Sequence, residues 1–98
     1  MAVAFVQEFS PGDRSTTNYD AISARLNAKD DPPDGVIIHT AGFTGDGGFR
    51  IFDVWESREH LQRFLEDRLM PIVQELTAGQ DLPQPREDIY ELHDLFQP

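Results

Sequence analysis

VIIHTAGFTGDGGFRIFDVWES, residues 36–57, is the stretch that decides the fold. Val36 to Phe43 and Phe49 to Trp55 are apolar runs of strand length. Between them, Thr44-Gly45-Asp46-Gly47-Gly48 supplies turn residues, so the two strands form a hairpin. This glycine-rich segment is not a phosphate loop, because it lacks a Lys-Ser/Thr ending and a helix after it. Ser57 can then cap a second helix, with Glu59 in the first turn, where negative charge suits the helix dipole.

Upstream, Ala2 to Phe9 reads as the first strand. Val3, Phe5 and Phe9 share one parity, while Ala4 and Val6 occupy the other, so both faces are apolar, as in a central strand. Ser10-Pro11-Gly12-Asp13 ends it. Ser15 to about Ala28 reads as the first helix, with Ser15 or Thr16 as N-cap and Tyr19, Ile22 and Leu26 in one stripe. In Lys29 to Gly35 (KDDPPDG) the prolines bar a helix and the glycine allows the turn into the hairpin. Downstream, Leu61, Phe64, Leu65, Leu69, Ile72, Val73 and Leu76 fall on one broad helical face. Pro71 predicts a kink or break inside that helix, and Gly79 its end. Asp81 to Arg86 reads as a connector and Asp88 to Phe96 as the fourth strand.

The order strand, helix, strand, strand, helix, strand is the ferredoxin-like split βαβ pattern, βαββαβ. The expected class is α+β, a four-stranded antiparallel sheet with two helices on one face, since right-handed crossovers put both on the same side. The other face would be bare. Yet Phe49, Ile51 and Trp55 oppose Phe52 and Val54 in the third strand, so neither side suits water. A second copy is the natural cover, giving a homodimer. The 98 residues, 1–98, make a single domain with a modest core, which oligomerisation would supplement.

The 18 Asp and Glu outweigh 8 Lys and Arg, for a formal charge of −10. That excludes nucleic-acid binding through a basic patch and adhesion to anionic membranes. With no cysteine, disulfides, thiolate metal sites and a cysteine nucleophile are excluded. The histidines lack i, i+4 spacing, so no metal is expected, nor any cofactor. There is no run of membrane-spanning length and no basic, apolar leader, so a cytoplasmic protein is expected.

Chemistry concentrates in the hairpin. If Phe43 pairs with Phe49, the register sets Ala41 against Ile51, His39 against Asp53 and Ile37 against Trp55, all on the helix-facing side. A carboxylate raises the pKa of a neighbouring histidine, and such a pair is either an acid–base device or a satisfied structural pair. One residue of slip would separate the two. Trp55 is either a core plug or a pocket wall for a flat ligand. His60 is expected at the surface, and His93 in solvent or on the dimer face.

Ile51-Phe52-Asp53-Val54-Trp55-Glu56-Ser57, followed by a helix with Phe64 and Leu69-Met70-Pro71, resembles the small dimeric α/β-barrel proteins, in particular the antibiotic-biosynthesis-monooxygenase-like group. Thr17-Asn18-Tyr19-Asp20 and His39 also look like family positions. The resemblance implies a homodimer of ferredoxin-like units, each with a pocket between helices and sheet. Some members oxidise polyketide quinols with oxygen and no cofactor, and others degrade heme. Trp55 matches the pocket tryptophan of both. Where the monooxygenases carry a pocket asparagine, this strand offers Ile51 and Asp53. Where heme degraders carry a helix histidine and a first-strand asparagine, this chain has Leu65 and Gln7.

Two readings follow. One is a cofactor-independent monooxygenase-like enzyme, or an isomerase or cyclase, on a small aromatic or polyketide-like substrate. There His39 and Asp53 would be catalytic, and Trp55, Tyr19 and Phe64 would bind the substrate, with Tyr19 at the mouth. The other is a non-catalytic dimer that binds a small ligand or serves as an accessory protein.

Overall fold

The structure, a computed structural model, describes residues 1–9, 17–76 and 85–97. The elements are β1 (Val3–Phe9), α1 (Thr17–Leu26), β2 (Val36–Phe43), β3 (Phe49–Trp55), α2 (Arg58–Phe64), a π-helical turn (Leu65–Leu69), α3 (Met70–Leu76) and β4 (Arg86–Glu91). The strands form one sheet in the order β2-β3-β1-β4, antiparallel throughout. This is the expected ferredoxin-like α+β arrangement. The caps proposed at Ser15 and Thr16, the breaks at Pro11 and Gly79 and most of the 81–86 connector lie outside the described residues.

β1 is central, and its apolar residues on both parities explain why: Val3, Ala4, Phe5 and Val6 are all buried. Val3 and Phe5 face the helices and join Trp55 and Leu61 in the core, with Val36, Phe64 and Leu65 packed against it. Ala4, Val6 and Val54 point to the opposite face, because adjacent strand residues alternate sides. Their cross-strand neighbours there include Tyr90 and Phe52. At the edges of that face Ile38 and Tyr90 remain 49% and 40% exposed.

Ser57 caps α2 as expected: its extended backbone frees the hydroxyl to accept from the His60 N–H at 3.2 Å. The irregularity expected at Pro71 falls just before it. The Met70 N–H reaches back to the Leu65 carbonyl, an i to i−5 bond. A proline ring clashes with the carbonyl four residues earlier, here Asp67, and the widened π turn contains that carbonyl. The turn also carries Arg68, which donates to the Leu26 and Asp31 carbonyls at 2.9 and 3.0 Å. It thereby ties the C-terminus of α1 to the second helical segment. Arg25 of α1 pairs with Glu75 of α3 in the same interface.

Two register expectations need correction. Val36, not Ile37, stands opposite Trp55, because a bulge lies between Val36 and Ile38. The extra residue re-aims the start of β2 while leaving the rest of the hairpin in register. β4 spans Arg86–Glu91 rather than 88–96. Glu91 pairs with Val3, the first residue of β1, so the strand ends where its partner begins. A last bond from the Leu92 N–H to the Ala2 carbonyl closes it.

Candidate functional site

In the hairpin, Phe43 faces Phe49, Ala41 faces Ile51 and His39 faces Asp53. Asp53 also stands opposite Phe5 of β1, so its carboxylate lies over the middle of the sheet and is only 8% exposed. A charge held there needs a donor. His39 supplies one: its Nδ1 lies 2.5 Å from Asp53 Oδ1. That contact assigns the Nδ1 proton and leaves Nε2 free to act on the other side of the ring.

Nε2 does not face empty space. Tyr19, from the first turn of α1, brings its hydroxyl to 2.7 Å. The tyrosine and imidazole rings are parallel within 3°, and the tyrosine packs edge-on against Phe49 at 5.3 Å. Phe49 in turn meets Phe43 edge-on at 5.1 Å. Asp53, His39 and Tyr19 thus form one line of hydrogen bonds from the buried centre of β3 through the edge strand to α1. The His39 pKa is raised, chiefly by the hydrogen bond to Asp53; partial burial opposes this and the carboxylate charge adds to it. With the His39 side chain 48% exposed, Nε2 can exchange protons with a bound molecule or with water. A neutral imidazole accepts from the Tyr19 O–H there; a protonated one donates to the Tyr19 oxygen.

Trp55 is two residues further along the same face and differs entirely. It is 1% exposed and lies against Phe64, with ring centroids 4.9 Å apart. Its indole N–H has no hydrogen-bond partner among the described residues. Trp55 is therefore a core plug. Phe64 borders a small cleft of about 160 Å³ with Pro33, His60, Arg63 and Arg68. A larger cavity of about 430 Å³ lies at the hairpin end of the sheet, where Phe49 forms part of the wall. Neither cavity is lined by His39, Asp53 or Trp55.

His60 is not the surface residue expected. Its Nδ1 contacts the Ser57 hydroxyl at 2.7 Å, and its ring packs onto Gly35. Gly35 has φ +88°, and a Cβ there would lie 2.4 Å from the ring, so only glycine fits. The turn chemistry of the KDDPPDG loop hinted at that glycine, but nothing in the sequence pointed to the ring above it. His93 is exposed, just past β4. Among the described residues no cluster of His, Cys, Asp and Glu could hold a metal ion.

No family model and no curated protein matches the chain. Solved structures do. Rv0793 from Mycobacterium tuberculosis superposes with a TM-score of 0.71 at 16% identity, covering 99% of this chain and 100% of the other. SnoaB, a cofactor-independent oxygenase from Streptomyces nogalater, gives 0.68 at 19%, covering 99% and 98%. A candidate antibiotic biosynthesis monooxygenase from Deinococcus radiodurans gives 0.69 at 12%, covering 100% and 98%. Sheet order, helix placement and these superpositions define a ferredoxin-like α+β domain. The chain shares its fold with these structures, and at these identities the likeness is one of fold.

Proposed function

We propose that the protein is a cofactor-independent monooxygenase-like enzyme acting on a small aromatic or polyketide-like substrate. The observation that carries this reading is the line Asp53–His39–Tyr19, with contacts of 2.5 and 2.7 Å. It is an acid–base device with its base half open to solvent. Asp53 fixes the imidazole tautomer, and Nε2, directly or through the Tyr19 oxygen, takes a proton from an activated ring CH₂. The resulting carbanion is stabilised by the aromatic system and can react with oxygen. Returning the proton to the C–O–O⁻ adduct gives a hydroperoxide, which loses water. The net change is CH₂ plus O₂ to C=O plus H₂O.

The likeness in fold to a cofactor-independent oxygenase supports the same reading. Oxygen uptake with anthrone-type and naphthol-type substrates tests it. The parent protein should consume oxygen, and His39→Gln should lose about 100-fold or more in kcat, the usual scale of a lost general base. Its melting temperature is measured in parallel. Turnover unchanged in a folded His39→Gln variant would sink the assignment.

A second reading, a non-catalytic ligand-binding or accessory dimer, draws on two observations. Trp55 is sealed in the core, and both cavities lie away from His39. Oxygen uptake absent across the substrate panel, together with saturable binding of an aromatic ligand, would favour it.

For either reading the assembly we infer is a homodimer joined through the sheet face opposite the helices. Ile38 and Tyr90 stand exposed on that face, which no helix among the described residues covers. Sedimentation equilibrium at micromolar concentration should give twice the chain mass; a monomer would exclude that interface. Among the described residues no helix is long and apolar enough to cross a membrane. A cytoplasmic setting fits this reading.

A further inference from the structure

The strand register orders the sheet face opposite the helices into rows that run across all four strands. Ile38, Val54, Ala4 and Tyr90 form the row at the Trp55 end. Thr40, Phe52, Val6 and Asp88 form the next. Gly42, Arg50, Glu8 and Arg86 form the row at the hairpin end. One end of the face is thus apolar and the other charged. Arg50 and Arg86 offset Glu8 and Asp88, so these rows are formally neutral in a chain of net charge −10. Two copies of so acidic a chain repel each other, and this face carries none of the excess.

A second copy can lie on the face with its strands within about 30° of these, and with the two-fold axis either across the strands or along them. An axis across the strands lays the apolar row on the charged row. Val54 and Ala4 then meet the partner's Arg50 and Glu8, and Asp88 meets the partner's Asp88. That sets charge on apolar surface and like charge on like, both costly. An axis along the strands lays each row on its own counterpart, with β2 over the partner's β4 and β3 over the partner's β1. Ile38, 49% exposed, then meets the partner's Tyr90, 40% exposed. Phe52 meets the partner's Val6, and Arg50 meets the partner's Glu8, twice by symmetry. Within one chain Arg50 and Glu8 approach only to 4.0 Å, the outer limit of an ion pair, so each has capacity for a second partner. Arg86 falls over the partner's Gly42, where no described atom lies within 4 Å of the Cβ position.

We infer that a second copy of the chain stacks on this face with the two-fold axis along the strands, pairing Arg50 with the partner's Glu8 and Ile38 with the partner's Tyr90. The inference rests on the homodimer read above and fixes how its two sheets align. β2, the edge strand that carries His39, then rests on the partner's β4.

Charge exchange tests the alignment. Glu8 and Arg50 are both half-exposed, so Glu8→Arg and Arg50→Glu leave the fold intact. The first chain carries two guanidinium groups at the hairpin end of the face and the second two carboxylates. Each variant alone sets like charges against each other across the interface, and sedimentation equilibrium should show dimerisation about tenfold weaker than in the parent. An equimolar mixture should recover the parental affinity as a heterodimer. The repulsion inside each chain is the same alone or mixed, so the recovery reports contact between chains only. Cysteine-free, the chain also suits cross-linking with a short bis-maleimide. Ile38→Cys mixed with Tyr90→Cys should give a product holding one chain of each. Ile38→Cys alone should give none, because the two copies of β2 lie at opposite edges of the dimer. A parent that sediments as a monomer would overturn the dimer itself. A dimeric parent with no recovery on mixing, no mixed cross-link, or Ile38→Cys linked to itself would overturn this alignment alone.

Discussion

Trp55 and Asp53 sit two residues apart on one face of β3, and their burial is achieved in opposite ways. Trp55 is surrounded by Val3, Phe5 and Leu61, and its stability comes from area removed from water and from close packing. Asp53 is almost as buried, yet its surroundings are held together by one hydrogen bond to a half-exposed histidine. The dry end of the sheet tolerates no change of volume. The polar end tolerates no loss of a partner. A single strand can therefore carry core and site side by side, because the period of two aims both inward.

The largest effect should come from the dry end. Trp55→Ala removes a buried aromatic and leaves a cavity, a loss of about 3–5 kcal/mol. Chemical denaturation should show it as a large drop in midpoint with little change in slope. A midpoint matching the parent would mean that the two ends are not different in kind.

The polar end is broken by removing a partner. His39→Ala leaves the Asp53 carboxylate buried and unpaired, at a cost of about 1–3 kcal/mol. Adding Asp53→Ala should recover part of that loss, because an empty site is cheaper than an orphaned charge. A double variant less stable than His39→Ala by the full cost of the second change would show that the two side chains do not couple. Tyr19→Phe removes only the far hydrogen bond, for about 0.5–1.5 kcal/mol, with His39 still able to reach water.

How much of this was legible in the sequence follows from the same contrast. Periodicity and turn residues gave the order of elements, the central place of β1 and the hairpin register that sets His39 against Asp53. These depend on local pattern, and one glycine-rich turn fixes the pairing of six residues on each side. The bulge between Val36 and Ile38 left no local mark, so local pattern alone sets Ile37 rather than Val36 against Trp55. The end of β4 was set by the start of β1, a non-local fact, whereas its own apolar pattern continued to Phe96. The sequence reading sets Tyr19 at the mouth of a pocket, but its bond to His39 depends on how α1 crosses the sheet, which no spacing encodes. The ring of His60 over Gly35, and Arg68 clamping α1, were hidden for the same reason.

The smallest effect is the most specific to the Asp53–His39 pair. The folded state raises the His39 pKa through Asp53, so folding favours the imidazolium. Stability gained this way is complete below the ordinary imidazole value of about 6.5 and is lost as pH rises through the raised folded value. The chain holds two further histidines, so the slope of stability with pH in the parent alone does not isolate the pair. The difference between parent and Asp53→Asn does, because the asparagine removes the charge while keeping the shape. Two readouts should move together. NMR titration of the His39 ring should show a lower midpoint in Asp53→Asn, and the parent should lose stability relative to the variant as pH rises from about 6.5. If the His39 midpoint is the same in both proteins, the carboxylate and imidazole do not share a proton. The polar end of the sheet would then be an ordinary packed surface like the other.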